Sequence, residues 1–196
     1  MKNIITISRQ FGSGGRSIGK AVAERLGYDY FDKDLIERIA KESGLSKDYI
    51  EKNGEHSPGT NIFSYAFVGR NRRGESVEDY LWNKQREVIL NIADKGNCVI
   101  VGRCADYILR DRENCLNVFV HSDIEKRAER IVKLYGETDQ KPKKRLMDKD
   151  RTRKLNYKYY TDRDWGMSQN YHLSLDSGVI GIERCEELIA TLAQEL

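Results

Sequence analysis

Short apolar runs alternate with amphipathic stretches along most of this chain. Ile4-Ile5-Thr6-Ile7-Ser8 is apolar and β-branched and stops at a turn-forming stretch, the pattern of a buried strand. Gly12-Ser13-Gly14-Gly15 follow, and then Ile18, Val22 and Leu26 recur at helical spacing. Tyr28 to Phe31 predicts a second strand, with Asp32 at the N-cap position of a helix carrying Leu35, Ile36 and Ile39. From Ser57 to Gly74 the pattern breaks around Gly59, Gly69, Arg70, Arg72 and Arg73, which reads as an exposed, mobile excursion. Helical spacing resumes from Ser76 to Ala93 and ends at Gly96; Cys98-Val99-Ile100-Val101 is then a central strand closed by Gly102. Leu116 to Val120 predicts a further strand and Ile124 to Leu134 an amphipathic helix. Leu173-Ser174-Leu175 and a helix from Glu183 to Leu196 complete the series. Strands alternating with helices imply βαβ units, hence an α/β fold whose parallel sheet is covered on both faces.

Composition narrows the picture. A length of 196 residues fits a single domain with, at most, a mobile subregion, and two prolines argue against a long disordered linker. Lys and Arg total 34 against 31 Asp and Glu, a net charge of +3 that does not by itself call for nucleic acid. The most basic stretch, Lys141 to Arg163, also contains Asp148, Asp150 and Asp162, so its charge is largely balanced and a nucleic-acid-binding module ranks last. Cys98, Cys104, Cys115 and Cys185 are scattered without metal-ligand spacing and read as reduced core thiols. The run Ile4 to Ile7 is too short for a secretory signal or a membrane span, so a cytoplasmic location without membrane association is the expectation.

The strongest local signal is Arg9-Gln10-Phe11-Gly12-Ser13-Gly14-Gly15-Arg16-Ser17 between a strand and a helix. A phosphate needs close backbone approach and free N–H donors; glycines permit the approach and the helix supplies a positive end. A search for G-x-x-x-x-G-K also matches Gly14 to Lys20, but Ala21 stands where Ser or Thr would meet magnesium, and that register consumes residues already at helical spacing. With the loop at Arg9 to Ser17, Ser17 takes the magnesium-side hydroxyl position. Gly15 then falls where a phosphate-gripping lysine normally stands. Arg16 is the nearest substitute for that charge, with Lys20 and Lys33 behind it.

Five further segments, in order, resemble the cytidylate kinase-like family. Lys20-Ala21-Val22-Ala23-Glu24-Arg25-Leu26 is similar to the first helix of bacterial cytidylate kinases, and Tyr30-Phe31-Asp32 to the strand end that carries their substrate aspartate. Val101-Gly102-Arg103 resembles their Gly-Arg motif, and Asp148-Lys149-Asp150-Arg151-Thr152-Arg153 their arginine-rich lid. Leu175-Asp176-Ser177 with Ile182-Glu183 resembles the closing strand and helix, and Tyr159-Tyr160, Trp165-Gly166 and Asn170-Tyr171 look closer to the divergent branch. The resemblance implies a P-loop NTPase three-layer fold, NMP-kinase-like with a helical lid. It also implies an acceptor-binding region near residues 33–95 and a lid near residues 137–168.

The implied chemistry is an ATP-dependent, Mg2+-assisted phosphoryl transfer to a nucleotide such as CMP or dCMP. Gly12, Ser13, Gly14, Gly15, Arg16 and Ser17 would hold the donor phosphates, Asp32 and Arg103 the acceptor. Arg16, Arg151 and Arg153 would carry catalytic charge. The residues flanking Gly-Arg are here Val101 and Cys104, so Asp106, further along, is the candidate metal-side carboxylate beside Ser17. Plainer roles stand next to these: Asp32 as a helix cap, Arg103 as a surface residue, Arg151 and Arg153 as solvated ion pairs, and the lid aromatics as packing. A catalytically idle or regulatory nucleotide-binding protein of the same fold is the second functional class.

Overall fold

A computed structural model describes residues 1–53 and 76–196. The excursion expected from Ser57 to Gly74, with Arg70, Arg72 and Arg73, lies outside them, as does the side chain of Lys33. Strand β1 (Ile4–Arg9) leads through the glycine loop into helix α1 (Gly15–Leu26). β2 (Asp29–Phe31), α2 (Lys33–Ser43) and α3 (Lys47–Asn53) follow, and beyond the undescribed segment α4 (Val77–Lys95) begins, capped by Ser76, whose hydroxyl accepts from the Asp79 N–H. β3 (Cys98–Val101), the short α5 (Ala105–Ile108), β4 (Cys115–His121), α6 (Ile124–Tyr135) and α7 (Pro142–Thr161) come next. β5 (Leu173–Asp176), α8 (Ser177–Ile180) and α9 (Ile182–Glu195) end the chain.

The strands form one parallel sheet in the order β2-β3-β1-β4-β5. Alternation along each strand feeds two cores. Ile4, Cys98 and Ile100 point to the face covered by α2, α3 and α4, where Leu35, Ile39, Ile50, Leu81, Val88 and Ile89 are buried. Ile5, Ile7, Val99 and Val101 point to the other face, against Ile18 and Val22 of α1 and Cys185 and Ile189 of α9. Burial on both faces is why these strands read as continuous apolar runs. β1 is central; the chain leaves β3 on one side of it and crosses to β4 on the other. In open parallel sheets such a reversal opens a crevice beyond the carboxyl ends of the strands. The glycine loop lies there.

Candidate active site

Gly12 (φ 80°) and Gly14 (φ 85°) are left-handed, and between them they curl the loop back over the end of β1. Ser13, buried between the two, anchors the curl: its hydroxyl lies 2.9 Å from the Gln10 carbonyl and 3.0 Å from that of Val120. Its own carbonyl accepts from the Ser177 hydroxyl at 2.6 Å. Ser13 therefore holds the loop from behind, with its hydroxyl turned into the fold. The first-turn N–H groups of a helix lack intrahelical carbonyls, and the first turn of α1 lines the hollow in front of the loop.

That hollow measures about 340 Å³ and is bordered by Gly12, Gly14, Gly15, Ser17, Asp32 and the aromatic ring of Phe11. Arg9, Arg16, Arg103, Arg130, Lys149 and Arg153 also line it, against one carboxylate, Asp32. They come from β1, α1, the turn after β3, α6 and α7. A wall with so many cations suits a polyanion.

The residues singled out in the sequence divide here. Arg16 Nε lies 2.9 Å from Asp32 Oδ2. Asp32 occupies the N-cap position of α2 without making a side-chain cap hydrogen bond, so its carboxylate serves the hollow and not the helix. Arg103 is 7% exposed, which rules out the surface role; its guanidinium donates to the Ile50 carbonyl at 3.4 Å, and its own carbonyl accepts from Gln85 Nε2 at 3.1 Å. Gly102, Arg103 and Cys104 are all left-handed, at φ 79°, 59° and 54°. Two such non-glycine residues in succession are strained, a condition that clusters at binding sites. Arg153 lines the hollow and donates from Nη1 to the Arg9 carbonyl at 3.1 Å. Arg151 does not join it: it is exposed and borders a different, shallower groove with Gln10, His121 and Trp165. Lys20 is exposed, paired with Glu24 at 3.6 Å, and does not line the hollow.

Metal handling needs correction. Magnesium takes hard oxygen ligands in near-octahedral array, normally including a carboxylate. Ser17 Oγ accepts from Arg130 Nη2 at 3.0 Å, so a cation there would stand beside a guanidinium. Asp106 is 3% exposed; Oδ1 accepts from Ser8 Oγ at 3.1 Å and Oδ2 from the Tyr157 hydroxyl at 2.7 Å. It borders none of the hollows described here, and burial raises its pKa, which disfavours the charge a metal would need. Among the described residues, no three His, Cys, Asp or Glu side chains gather as metal ligands. Asp106 is therefore not placed to serve as the metal-side carboxylate beside Ser17.

Sequence reasoning missed Arg127, Arg130 and Lys149. Arg127 Nη1 donates to Asp150 Oδ2 at 2.5 Å and to the Phe11 carbonyl at 3.1 Å, while the Phe11 N–H donates to Asp150 Oδ1 at 2.7 Å. This clamp fastens α7 onto the glycine loop. Arg127 and Arg130 repeat at i, i+3 on an amphipathic helix, a spacing visible in the sequence but ordinary for a solvated face. Tyr160 stacks on Trp82 at 4.2 Å, and Trp165 meets Phe119 edge-on at 5.3 Å, so these lid aromatics pack. All four cysteines are buried and none forms a disulfide.

Residues 4–179 match the cytidylate kinase-like family. A cytidylate kinase of Aeropyrum pernix is 27% identical over 93% of this chain and 94% of its own length. An uncharacterized protein of Eubacterium ventriosum superposes with a TM-score of 0.75 over 100% of both chains at 24% identity. A shikimate kinase of Acinetobacter baumannii superposes with a TM-score of 0.56 over 98% of this chain and 93% of its own, at 14% identity, a likeness of fold. With a family match that spans most of its length, the chain belongs to the cytidylate kinase-like family of phosphotransferases.

Proposed function

We infer that this protein transfers the terminal phosphoryl group of ATP to a nucleoside monophosphate, with CMP or dCMP as the acceptor. The observation that carries this reading is the hollow at the start of α1, where cations from five segments face one carboxylate. A triphosphate donor and a monophosphate acceptor meeting end to end present the charge such a wall would balance. Phosphoryl transfer asks for alignment and electrostatic stabilisation more than for covalent help from the protein.

The glycine loop and the first turn of α1 would cradle the donor phosphates. Arg130 and Lys149 would lie along the donor, and Arg153 would reach the transferring group. Asp32 would accept a hydrogen bond from the acceptor's base or sugar, with Arg16 fixing its carboxylate. Arg103 would pair with the acceptor phosphate, exchanging the Ile50 carbonyl for a charged partner that forms a stronger bond. Magnesium, where the reaction uses it, would come with the nucleotide.

The test is ADP release from ATP with CMP, dCMP, UMP, AMP and nucleosides offered in turn. Stimulation by CMP or dCMP above the others is expected. Equal, basal release with every acceptor would remove the nucleoside monophosphate assignment. Tight ATP binding without turnover would favour the second reading, an idle nucleotide-binding protein, for which glycine at position 15 is the motivating observation.

A further inference from the structure

Arg9 and two glycines fit one another at the floor of the hollow. Arg9 ends β1 and is 6% exposed, yet it borders both the main hollow and a smaller neighbouring one that includes Gly102 and Arg103. Its stem crosses the first residue of α1: a β-carbon on Gly15 would lie 2.6 Å from Arg9 Cβ and 2.9 Å from Cγ. Its guanidinium ends at the turn after β3, where a β-carbon on Gly102 would lie 1.9 Å from Nη1 and 2.7 Å from Cζ. The side chain thus spans the carboxyl edge of two hydrogen-bonded strands, β1 and β3.

The two glycines differ in what requires them. Gly102 has a left-handed backbone and would favour glycine in any case. Gly15 does not: its φ lies outside the left-handed region, and glycine is among the poorest helix formers. Space is what position 15 lacks. That is also where the phosphate-gripping lysine of a P-loop stands, one residue after the last loop glycine. A lysine rooted there would need the volume that the Arg9 stem fills.

We propose that Arg9 is the phosphate-gripping cation of this loop, delivered from the end of β1, and that position 15 is glycine because Arg9 passes over it. Its ligand is the terminal pair of phosphoryl groups of a nucleoside triphosphate, so the proposal rests on the donor reading above. A guanidinium fork can contact oxygens of two adjacent phosphates at once, which an ammonium does as a point charge. Arg16, the substitute suggested by sequence order, instead holds Asp32 on the acceptor wall.

The experiment relocates the charge. Binding of inorganic tripolyphosphate and of ATP is measured by calorimetry for the unaltered protein, Arg9→Met, Arg9→Lys, Arg9→Gly, Gly15→Lys and the double variant Arg9→Gly/Gly15→Lys. Melting curves are recorded for each. Arg9→Met is expected to weaken both ligands by about 10- to 100-fold. Arg9→Lys should lose less, and the double variant should regain most of the loss. Gly15→Lys alone should melt well below the unaltered protein, while the same change beside Arg9→Gly, which removes the Cβ and Cγ that a side chain at position 15 would meet, should be tolerated. Unchanged tripolyphosphate affinity in folded Arg9→Met, or the same fall in melting temperature for Gly15→Lys in both backgrounds, overturns the proposal. Should Arg9→Met fail to fold, the relocated double variant decides: recovery of binding there supports the proposal and its absence overturns it. If the unaltered protein binds neither ligand, the donor reading and the role of Arg9 fall together. If it binds both but phosphorylates no nucleotide, only the acceptor reading falls and the affinity ratios still judge Arg9. Turnover in Arg9→Met with the same kcat and ATP KM removes Arg9 and leaves the kinase reading standing.

Discussion

Asp106 holds its carboxylate between the hydroxyls of Ser8 and Tyr157, joining β1, α5 and α7 inside the molecule. Burial raises its pKa above the usual carboxylate value, and the two hydroxyl donors offset only part of that. The unfolded chain releases this proton near pH 3.9, the folded chain at a higher pH. Between those values the folded state binds more protons, so the group's contribution is full below about pH 4 and is lost as pH rises through the folded value. Asp106→Asn is therefore expected to gain stability relative to the unaltered protein as pH is raised from about 4 to 8, read by urea denaturation at each pH. A constant difference across that range would contradict it. Gly14 makes a second residue-scale case. Its backbone is left-handed, and a β-carbon there would lie 2.3 Å from Ile182 Cδ1. Gly14→Ala should cost about 1–3 kcal/mol, from strain and overpacking together, and a stability matching the unaltered protein would show that the loop can shift.

At the scale of elements, α7 and the glycine loop act as one piece. Asp150 accepts from the Phe11 N–H and from Arg127, and Arg153 donates to the Arg9 carbonyl. The side chains of Arg127 and Asp150 are 8% and 16% exposed, so removing one partner strands a nearly buried charge. Asp150→Ala should destabilise the fold by about 3 kcal/mol, at the low end for a buried pair because Asp150 retains some water contact. Adding Arg127→Met should restore part of that, since the stranded charge goes with it. Additive losses in this double-mutant cycle would show that the two side chains do not couple. The family resemblance implies a helical lid near residues 137–168, and Pro142 opens the observed helix; nothing in the sequence implies the clamp. Asp148 and Asp150 look alike in a charged run, and only docking on the loop selects Asp150 for Phe11 while Asp148 meets Gln140.

For the whole molecule, charge convergence sets the expected behaviour. ATP at about 100 times its dissociation constant should stabilise the native state by about 2.7 kcal/mol. For a chain of this size that is a rise in Tm of about 5–11 °C, measured in a thermal-shift panel of nucleotides. The rise should shrink with added salt, because screening acts on the arginines that remain open to solvent. No shift with any triphosphate would remove the phosphate role of the hollow.

The sequence alone determined the alternation of strands and helices, the position of the glycine loop and the order of the family's segments. These depend on local periodicity and on residues that are contiguous in the chain. Tertiary structure alone decided which charges converge. Arg9 and Gly102 are far apart in sequence, and Arg151 and Arg153 differ by two positions, yet Arg9 and Arg153 line the hollow and Arg151 does not. Asp106 shows the same limit. A carboxylate after a Gly-Arg turn reads as a metal ligand until the fold buries it between two hydroxyls, because desolvation depends on everything packed around a group and not on its neighbours in the chain.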